Sequence, residues 1–404
     1  MKKRDIAAGA LFCASTMIYG AGFQTLEQGA SNMGSALAGA TVNANGDATA
    51  AFWNPSAAFN IGLENGETKV DVAANIVISK FDFEKTNAPV GNSGDAGCVS
   101  VVPNVYAAHK LTDDVILTLS MSAPFALETN YNEDWAGREC ALKSNITTLE
   151  IAPGIAAKVN DYISVSAGPA IQWLHAELTN GLPFGMPDMS LTGESWSVGA
   201  FAGFTVNYAE DGRIGFQYRS ETNHHIKGNR HVGGTVTNPI TCDLKLPHTF
   251  TVGWYQRLRG DWKKFAVMAE YSYTMWSCFD VLDIQGSGGA PQQEQWRDTS
   301  RVAFGVHFFP LEDDSLVVRL GSAWDQTPIK EDKYRHARIP CTDRIWFSGG
   351  VGYKYGNWNF DVAYTYIYFY EDPKMFDNTI STGPIEGYFE GRAHVVAVQV
   401  GYKF

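Results

Sequence analysis

The chain has 404 residues, 45% of them hydrophobic and 13% aromatic, with a formal net charge of −12. That acidic balance argues against nucleic acid as a partner, because phosphate binding needs clustered Lys and Arg. Beyond the N-terminus no run of about 18 apolar residues exists, so no membrane helix is available. Three classes remain: a secreted soluble β protein, a multidomain periplasmic protein, or an outer-membrane barrel.

Residues 1–20 read as a signal peptide. Lys2, Lys3 and Arg4 form a basic start, Ile6 to Ile18 a short apolar stretch, and Gly20 and Ala21 are small, which places cleavage after Gly20. The bulk of Phe12 argues against a lipoprotein signal at Cys13. Without Lys2, Lys3, Arg4 and Asp5, the 31 basic and 43 acidic residues become 28 and 42, a net −14. Residues 21–62 are small, polar and rich in Gly and Ala, and they close on Asn54-Pro55-Ser56-Ala57. They carry neither helical nor strand periodicity. A compact polar leader before a strand-rich body predicts a plug, or hatch, for a barrel.

Residues 63–404 read as strands. In the tail, Val396, Val398, Val400, Tyr402 and Phe404 share one face, and Val395, Ala397, Gln399, Gly401 and Lys403 the other. Before it, Trp358, Phe360, Val362, Tyr364, Tyr366, Tyr368 and Tyr370 lie opposite Asn359, Asp361, Ala363 and Thr365. A soluble protein would turn the aromatics inward, and a membrane barrel outward; alternation alone does not separate the two. Loop lengths do. Short polar connections (Leu111 to Asp114, Asn160-Asp161, Ala209 to Arg213, Arg259 to Asp261, Leu311 to Ser315, Tyr355 to Asn357) alternate with long ones. The long set lies near 85–103, 128–144, 177–193, 221–246, 278–296, 326–342 and 372–388. That alternation predicts an all-β transmembrane antiparallel barrel of about fourteen strands, with tight periplasmic turns and larger outer loops.

Glu150, Arg213, Gln217, Arg219, Glu270, Arg301, Arg319 and Asp361 take the inward parity, and most are expected to anchor the hatch. Pro124, Pro153 and Pro169 fall inside the third, fourth and fifth strands, where a missing N–H interrupts a ladder. They predict either a local defect in the wall or bulges that correct barrel shape. The mature cysteines, Cys98, Cys140, Cys242, Cys278 and Cys341, all fall in or beside outer loops. Export permits disulfides, and Cys98–Cys140 is the preferred pair because their loops are neighbours; the alternative is free thiols. His224, His225 and His231 match no closed zinc spacing, so no metal is assigned. No nucleophile elbow, phosphate loop or metalloprotease motif occurs, so neither an enzyme nor a cofactor is expected.

The segment Ala21-Gly22-Phe23-Gln24, the close at Asn54-Pro55-Ser56, and four later blocks occur in a family order and spacing. The blocks are Pro124-Phe125 through Arg138, Leu246 through Ser277, Arg319 through Pro328, and Ile339 through Gly350. Together they resemble the outer-membrane long-chain fatty acid transporter family (FadL/OmpP1/TodX type). Ser56 in place of Ala and the loop cysteines depart from its pattern. The resemblance implies passive transport of a hydrophobic molecule across a Gram-negative outer membrane. Outer loops would capture the ligand, with Leu182, Phe184 and Met186 as candidate contacts. A lumen pocket receiving Phe23 would hold it. Movement of residues 21–27, including Gln24 and Glu27, would open a path to the wall defect at Pro124 and Phe125. Arg319 is the candidate for a fatty-acid carboxylate, since a guanidinium fork suits that geometry. Also expected are a monomer, contact with outer-membrane lipid and lipopolysaccharide, and recognition of Phe404 by the barrel assembly machinery. The family holds fatty-acid and aromatic-hydrocarbon channels alike. A lipid-modifying barrel enzyme and a polar-solute porin are the more distant readings, and a plug argues against the porin.

Overall fold

The computed structural model describes residues 21–87, 91–381 and 383–404; the expected signal peptide lies outside them. Fourteen wall strands run antiparallel in chain order. They are β1 Thr68–Asn87, β2 Val99–Thr112, β3 Val115–Ser122 resuming at Ala126–Asn130, β4 Lys143–Lys158 and β5 Ile163–Asn180. Next come β6 Met189–Ala209, β7 Gly212–Arg219 resuming at Thr222–Val232, and β8 Thr235–Leu246 resuming at Thr249–Arg257. β9 Phe265–Thr274, β10 Thr299–Phe308, β11 Leu316–Asp325, β12 Arg344–Tyr355, β13 Trp358–Phe369 and β14 Ile385–Lys403 complete the wall. β1 pairs with β14 from Lys69↔Lys403 to Asn87↔Glu386, and this pairing closes the barrel.

The alternation sorts as a membrane barrel requires. On β13, Phe360, Val362 and Tyr364 are exposed on the outer wall, while Asp361, Ala363 and Thr365 are buried toward the lumen. The lumen is filled by the segment before β1. It forms two single-turn helices, α1 Ala30–Met33 and α2 Ala50–Trp53, then a 3-10 turn over Pro55–Ile61. Small residues let this hatch press onto the wall. A Cβ on Gly321 would meet Ser35 O at 2.2 Å, and one on Gly350 would meet the Gly34 Cα at 2.8 Å.

Inward-facing wall side chains hold the hatch by its backbone. Arg213 donates from Nε to Val42 O (2.8 Å), Gln217 from Nε2 to Phe52 O (2.6 Å) and Arg301 from Nη2 to Ala36 O (2.9 Å). Glu270 accepts from the Thr41 N–H at 2.9 Å. At the close of the segment, Asn54 caps the 3-10 turn, with Pro55 at its first position. Its Nδ2 donates to Thr41 O (2.9 Å) and Thr205 Oγ1 (3.2 Å), and Ser56 Oγ lies 2.8 Å from Thr205 Oγ1.

Pro124, Pro153 and Pro169 each mark an irregularity, whereas Pro103 in β2 and Pro239 in β8 sit within continuous pairing. Pro124 separates the two halves of β3. Pro153 and Pro169 face one another across β4 and β5, whose pairing lapses between Ile151↔Ile171 and Ile155↔Ala167. Phe201 fills the relief there, against Gly154 and Gly168. The cysteines depart from expectation: all five are free thiols. Cys98 Sγ lies 3.6 Å from Ser100 Oγ, while Cys140 donates to Asp377 at 3.3 Å, so the preferred Cys98–Cys140 bridge is not formed.

Candidate functional site: an apolar cavity above the hatch

The upper parts of several strands reverse the phase of the lower wall. On β5, Leu174, Ala176 and Leu178 turn inward; on β8, Ile240, Cys242, Leu244 and Leu246 do so. Outward positions there are polar: His225, Lys227, Asp243 and Lys245. This portion is patterned like a soluble sheet, wet outside and apolar within. It encloses a narrow, almost wholly apolar cavity of about 70 Å³. Phe23 lies at the hatch end of its lining, with Leu127, Ile146, Ile226, Phe279 and Leu282 among the walls.

Phe23 is wholly buried in an aromatic cage. Its ring lies 4.9 Å from Trp276, 5.9 Å from Phe279, 5.9 Å from Trp296 and 6.2 Å from Phe125. Edge-on geometry of this kind adds about 0.5–1.5 kcal/mol per pair beyond area burial. Gly22 makes the approach possible. Its φ is 68°, and a Cβ would meet the Trp296 ring at 2.6 Å and Trp276 at 3.0 Å. Ala21 is buried beside it.

Four polar side chains from outer loops complete the lining: Gln292, Glu294, His336 and Arg338. Burial pushes the Glu294 carboxyl up to about 7; it accepts from Trp296 Nε1 (3.1 Å) and Gln292 Nε2 (2.5 Å). Burial, with the nearby Arg338 charge, pushes His336 down to about 4, so it is neutral. Burial lowers Arg338 to about 10, which leaves it charged. Its Nη1 donates to Lys143 O, Ser144 Oγ and Thr179 O at 3.0–3.2 Å. Its Nε and Nη2 are uncommitted among the described residues. A single cation at the loop end of an apolar cavity can orient an anionic amphiphile.

Below the cavity the wall is incomplete. β2 and β3 pair from Thr112↔Val115 only as far as Val105↔Met121. Above that, Ala126–Asn130 pairs with β4 alone, from Ala126↔Thr147 to Asn130↔Lys143. The hatch takes the vacant edge. The Thr25 N–H donates to Pro124 O (2.8 Å), the Ala126 N–H donates to Phe23 O (2.9 Å), and Gln24 bridges Phe125. Pro124 therefore offers a carbonyl and no orphan N–H at the break. Val102, Ala123 and Ala126 form a small apolar cluster across the gap.

The remaining expected site residues are dispersed. Gln24 bonds Thr249 and Thr274 weakly, at 3.5 and 3.3 Å. Glu27 is fully buried, and its backbone C=O accepts from Asn75 and Asn104. Asn54, Pro55 and Ser56 sit at the far end of the hatch from the cavity, as anchors. Leu182, Phe184 and Met186 lie at an outer-loop tip, with Phe184 93% exposed, and do not line the cavity. Arg319 is buried in the polar layer under the hatch, 2.7 Å from Asp361 and bonded to Asn45 at 2.8 Å. Arg338, Glu294 and most of the apolar lining are not among the residues expected from sequence. The phase reversal at Ser220-Glu221 and Pro247-His248 was the signal that could have found that lining.

A family model described as outer membrane protein transport protein (OMPP1/FadL/TodX) matches residues 11–404. The chain is 25% identical over 447 residues to the 47 kDa outer membrane protein of Pasteurella multocida (strain Pm70), covering 99% of this chain and 98% of that one. It is 26% identical over 423 residues to a long-chain fatty acid transport protein of Escherichia coli O6:H1, covering 90% and 91%. Among solved structures, a Pseudomonas aeruginosa FadL homologue superposes with a TM-score of 0.85 at 21% identity, over 95% of this chain and 99% of that one. The P. putida toluene transporter TodX gives 0.70 at 13% identity, over 94% and 99%. At these identities the structural likeness carries the fold.

Proposed function

This chain belongs to the outer membrane protein transport protein (OMPP1/FadL/TodX) family, and on that premise we propose that it carries long-chain fatty acids passively across the outer membrane. It is an outer-membrane barrel of a family of hydrophobic-compound transporters. The observation that carries the finer reading is the apolar cavity capped by the Arg338 guanidinium. Long apolar walls suit an acyl chain, and a lone cation suits its carboxylate. An aromatic hydrocarbon needs the walls and not the cation. Arg338 rather than Arg319 suits the carboxylate, because Arg319 is already paired with Asp361 beneath the hatch.

The route follows from chemistry. An acyl chain gains about 0.8 kcal/mol per methylene in the cavity and would lose it again in a water-filled pore. Sideways release into the bilayer avoids that loss. The β2–β3 gap lies beside Phe23, and the hydrogen bonds of residues 23–25 to β3 are the latch. Withdrawal of Phe23 would open the cavity floor toward Pro124. No nucleotide or ion coupling enters, and no reaction is assigned. Phe404 supplies the terminal aromatic for barrel assembly, and the protein works as a monomer in contact with lipid and lipopolysaccharide.

The test is oleate uptake into cells lacking their own transporter, at matched surface level, with wild type, Phe23→Ala and Pro124→Ala. Protein-dependent uptake that falls in either variant supports the route. No uptake above the empty control removes fatty acids as the substrate. Toluene uptake under the same conditions, unaffected by Arg338→Leu, would put aromatic hydrocarbons in their place.

A further inference from the structure

A second interruption of the wall lies between β6 and β7. The two strands pair from Ala209↔Gly212 up to Phe201↔Arg219, and again from Glu194↔Lys227 to Met189↔Val232. Between these ladders Ser195–Ala200 faces Ser220–Ile226 without regular pairing. Hydroxyls stand in for the ladder. Ser220 Oγ accepts from the Ala200 N–H at 2.9 Å, and Ser197 Oγ donates to Asn223 O at 2.7 Å. The Ser220 N–H still reaches Ala200 O at 2.8 Å. Trp196 and Val198 flank the seam on the outer wall and are two-thirds exposed.

Both neighbours on the β7 side break at one level. The Ser220-Glu221 interruption of β7 lies opposite Pro247-His248 of β8. His248 Nδ1 accepts from the Glu221 N–H at 3.1 Å, so its proton sits on Nε2, 3.5 Å from the Glu221 carboxylate. Backbone groups left unladdered in a membrane wall need a partner other than hydrocarbon. Here the partners on offer are hydroxyls and an imidazole, which a polar solute can exchange with.

The seam opens on a polar chamber under the apolar cavity. Pro124 and Phe125 line that chamber on one side, and Ala200, Ser220, Thr222 and Pro247 on the other. The chamber's charges are already spent on one another. Glu150 pairs with Arg219 through one oxygen and accepts from Gln172 Nε2 at 3.1 Å through the other. Among the described residues that line it, no free cation remains for a carboxylate. What is free is neutral: Thr25, 1% exposed, lines the chamber with its hydroxyl unpartnered.

We propose that the β6–β7 seam is a second lateral portal, which passes neutral amphiphiles with hydroxyl-bearing head groups, of the monoacylglycerol class, while the β2–β3 gap passes fatty acids. The inference rests on the transport reading above. The head group exchanges hydrogen bonds with Thr25, Ser220 and Ser197 as it crosses. The acyl chain leaves past Trp196 and Val198 into lipid.

The experiment locks each opening with a disulfide. In the full-length chain with its five mature cysteines changed to serine, Ser197→Cys with Asn223→Cys spans the seam. Val102→Cys with Ala126→Cys spans the gap. Uptake of radiolabelled monooleoylglycerol and of oleate is measured for each oxidised variant and for the same cells after dithiothreitol, so every variant is its own folding control. The seam lock is expected to lower monooleoylglycerol uptake about fivefold or more, reversibly, and to leave oleate uptake within about twofold; the gap lock does the converse. Unchanged monooleoylglycerol uptake under the seam lock overturns the portal. So does wild type that takes up oleate and not monooleoylglycerol. Wild type that takes up neither fails the transport reading itself, and the portal with it.

Discussion

Arg338 and Arg319 carry the same charge and have opposite surroundings, so their substitutions should separate. Arg338→Leu is expected to weaken oleate binding about tenfold or more, with methyl oleate unaffected, by displacement of a fluorescent fatty acid. Arg319→Leu leaves Asp361 buried without its partner. It should lower stability by about 3–5 kcal/mol, seen as a lower unfolding temperature, and spare the affinity of whatever protein folds. Glu294 adds a pH dependence. Its carboxyl is neutral below about 7 and becomes an anion in the cavity above it, so binding of an anionic amphiphile should weaken as pH rises through that range. With decyl sulfate, whose charge does not titrate there, the loss should be about fivefold or more, and Glu294→Gln should flatten it. Phe23 could be read ahead of the structure because it stands in a recognisable run behind the signal peptide. Arg338 and Glu294 could not, because they come from irregular loops that carry no periodicity, and only folding brings them to one cavity.

Among elements, the fourteen strands were legible because short polar turns and long loops alternate along the chain. Their internal breaks are announced most plainly by proline, and elsewhere only by a reversal of the alternation. Pro124 is of the first kind and Ser220-Glu221 of the second, while the hydroxyl chemistry of the β6–β7 seam is invisible in a pattern of alternation. The Asn54-Pro55-Ser56 turn ties the end of the hatch down, since its hydrogen bonds run to Thr41 and Thr205. Asn54→Ala removes the cap and leaves Thr205 short of a partner. A cost of about 1–3 kcal/mol is expected, measured as a lower midpoint for the heat-induced mobility shift of the barrel on a gel. Oleate affinity should be unchanged in the folded fraction, because the turn is remote from the cavity.

The whole molecule is held by its closed ladder and by the hatch inside it, not by sulfur bridges. All five described cysteines are free, and Cys242 is buried in the lining of the cavity. Reduction should therefore leave the unfolding midpoint where it was; a fall of several degrees in dithiothreitol would mean that bridges form in the exported protein. Export made disulfides permissible, and the sequence offered no geometry to decide whether they form.

The contacts between hatch and wall are spread around the circumference. Asn75 of β1, Asn104 of β2, Ser164 of β5, Gln217 of β7, Glu270 of β9, Arg301 of β10 and Arg319 of β11 each reach inward to it. They act as the spokes of a wheel whose hub is the leader. A fourteen-stranded hoop without spokes is free to flatten, and flattening would bring opposite walls together across the lumen. The roundness of this barrel is thus imposed from its centre. The same hub that fills the bore also spaces the two interruptions of the wall, at β2–β3 and β6–β7, so a variant without its leader should lose the shape of both along with its plug.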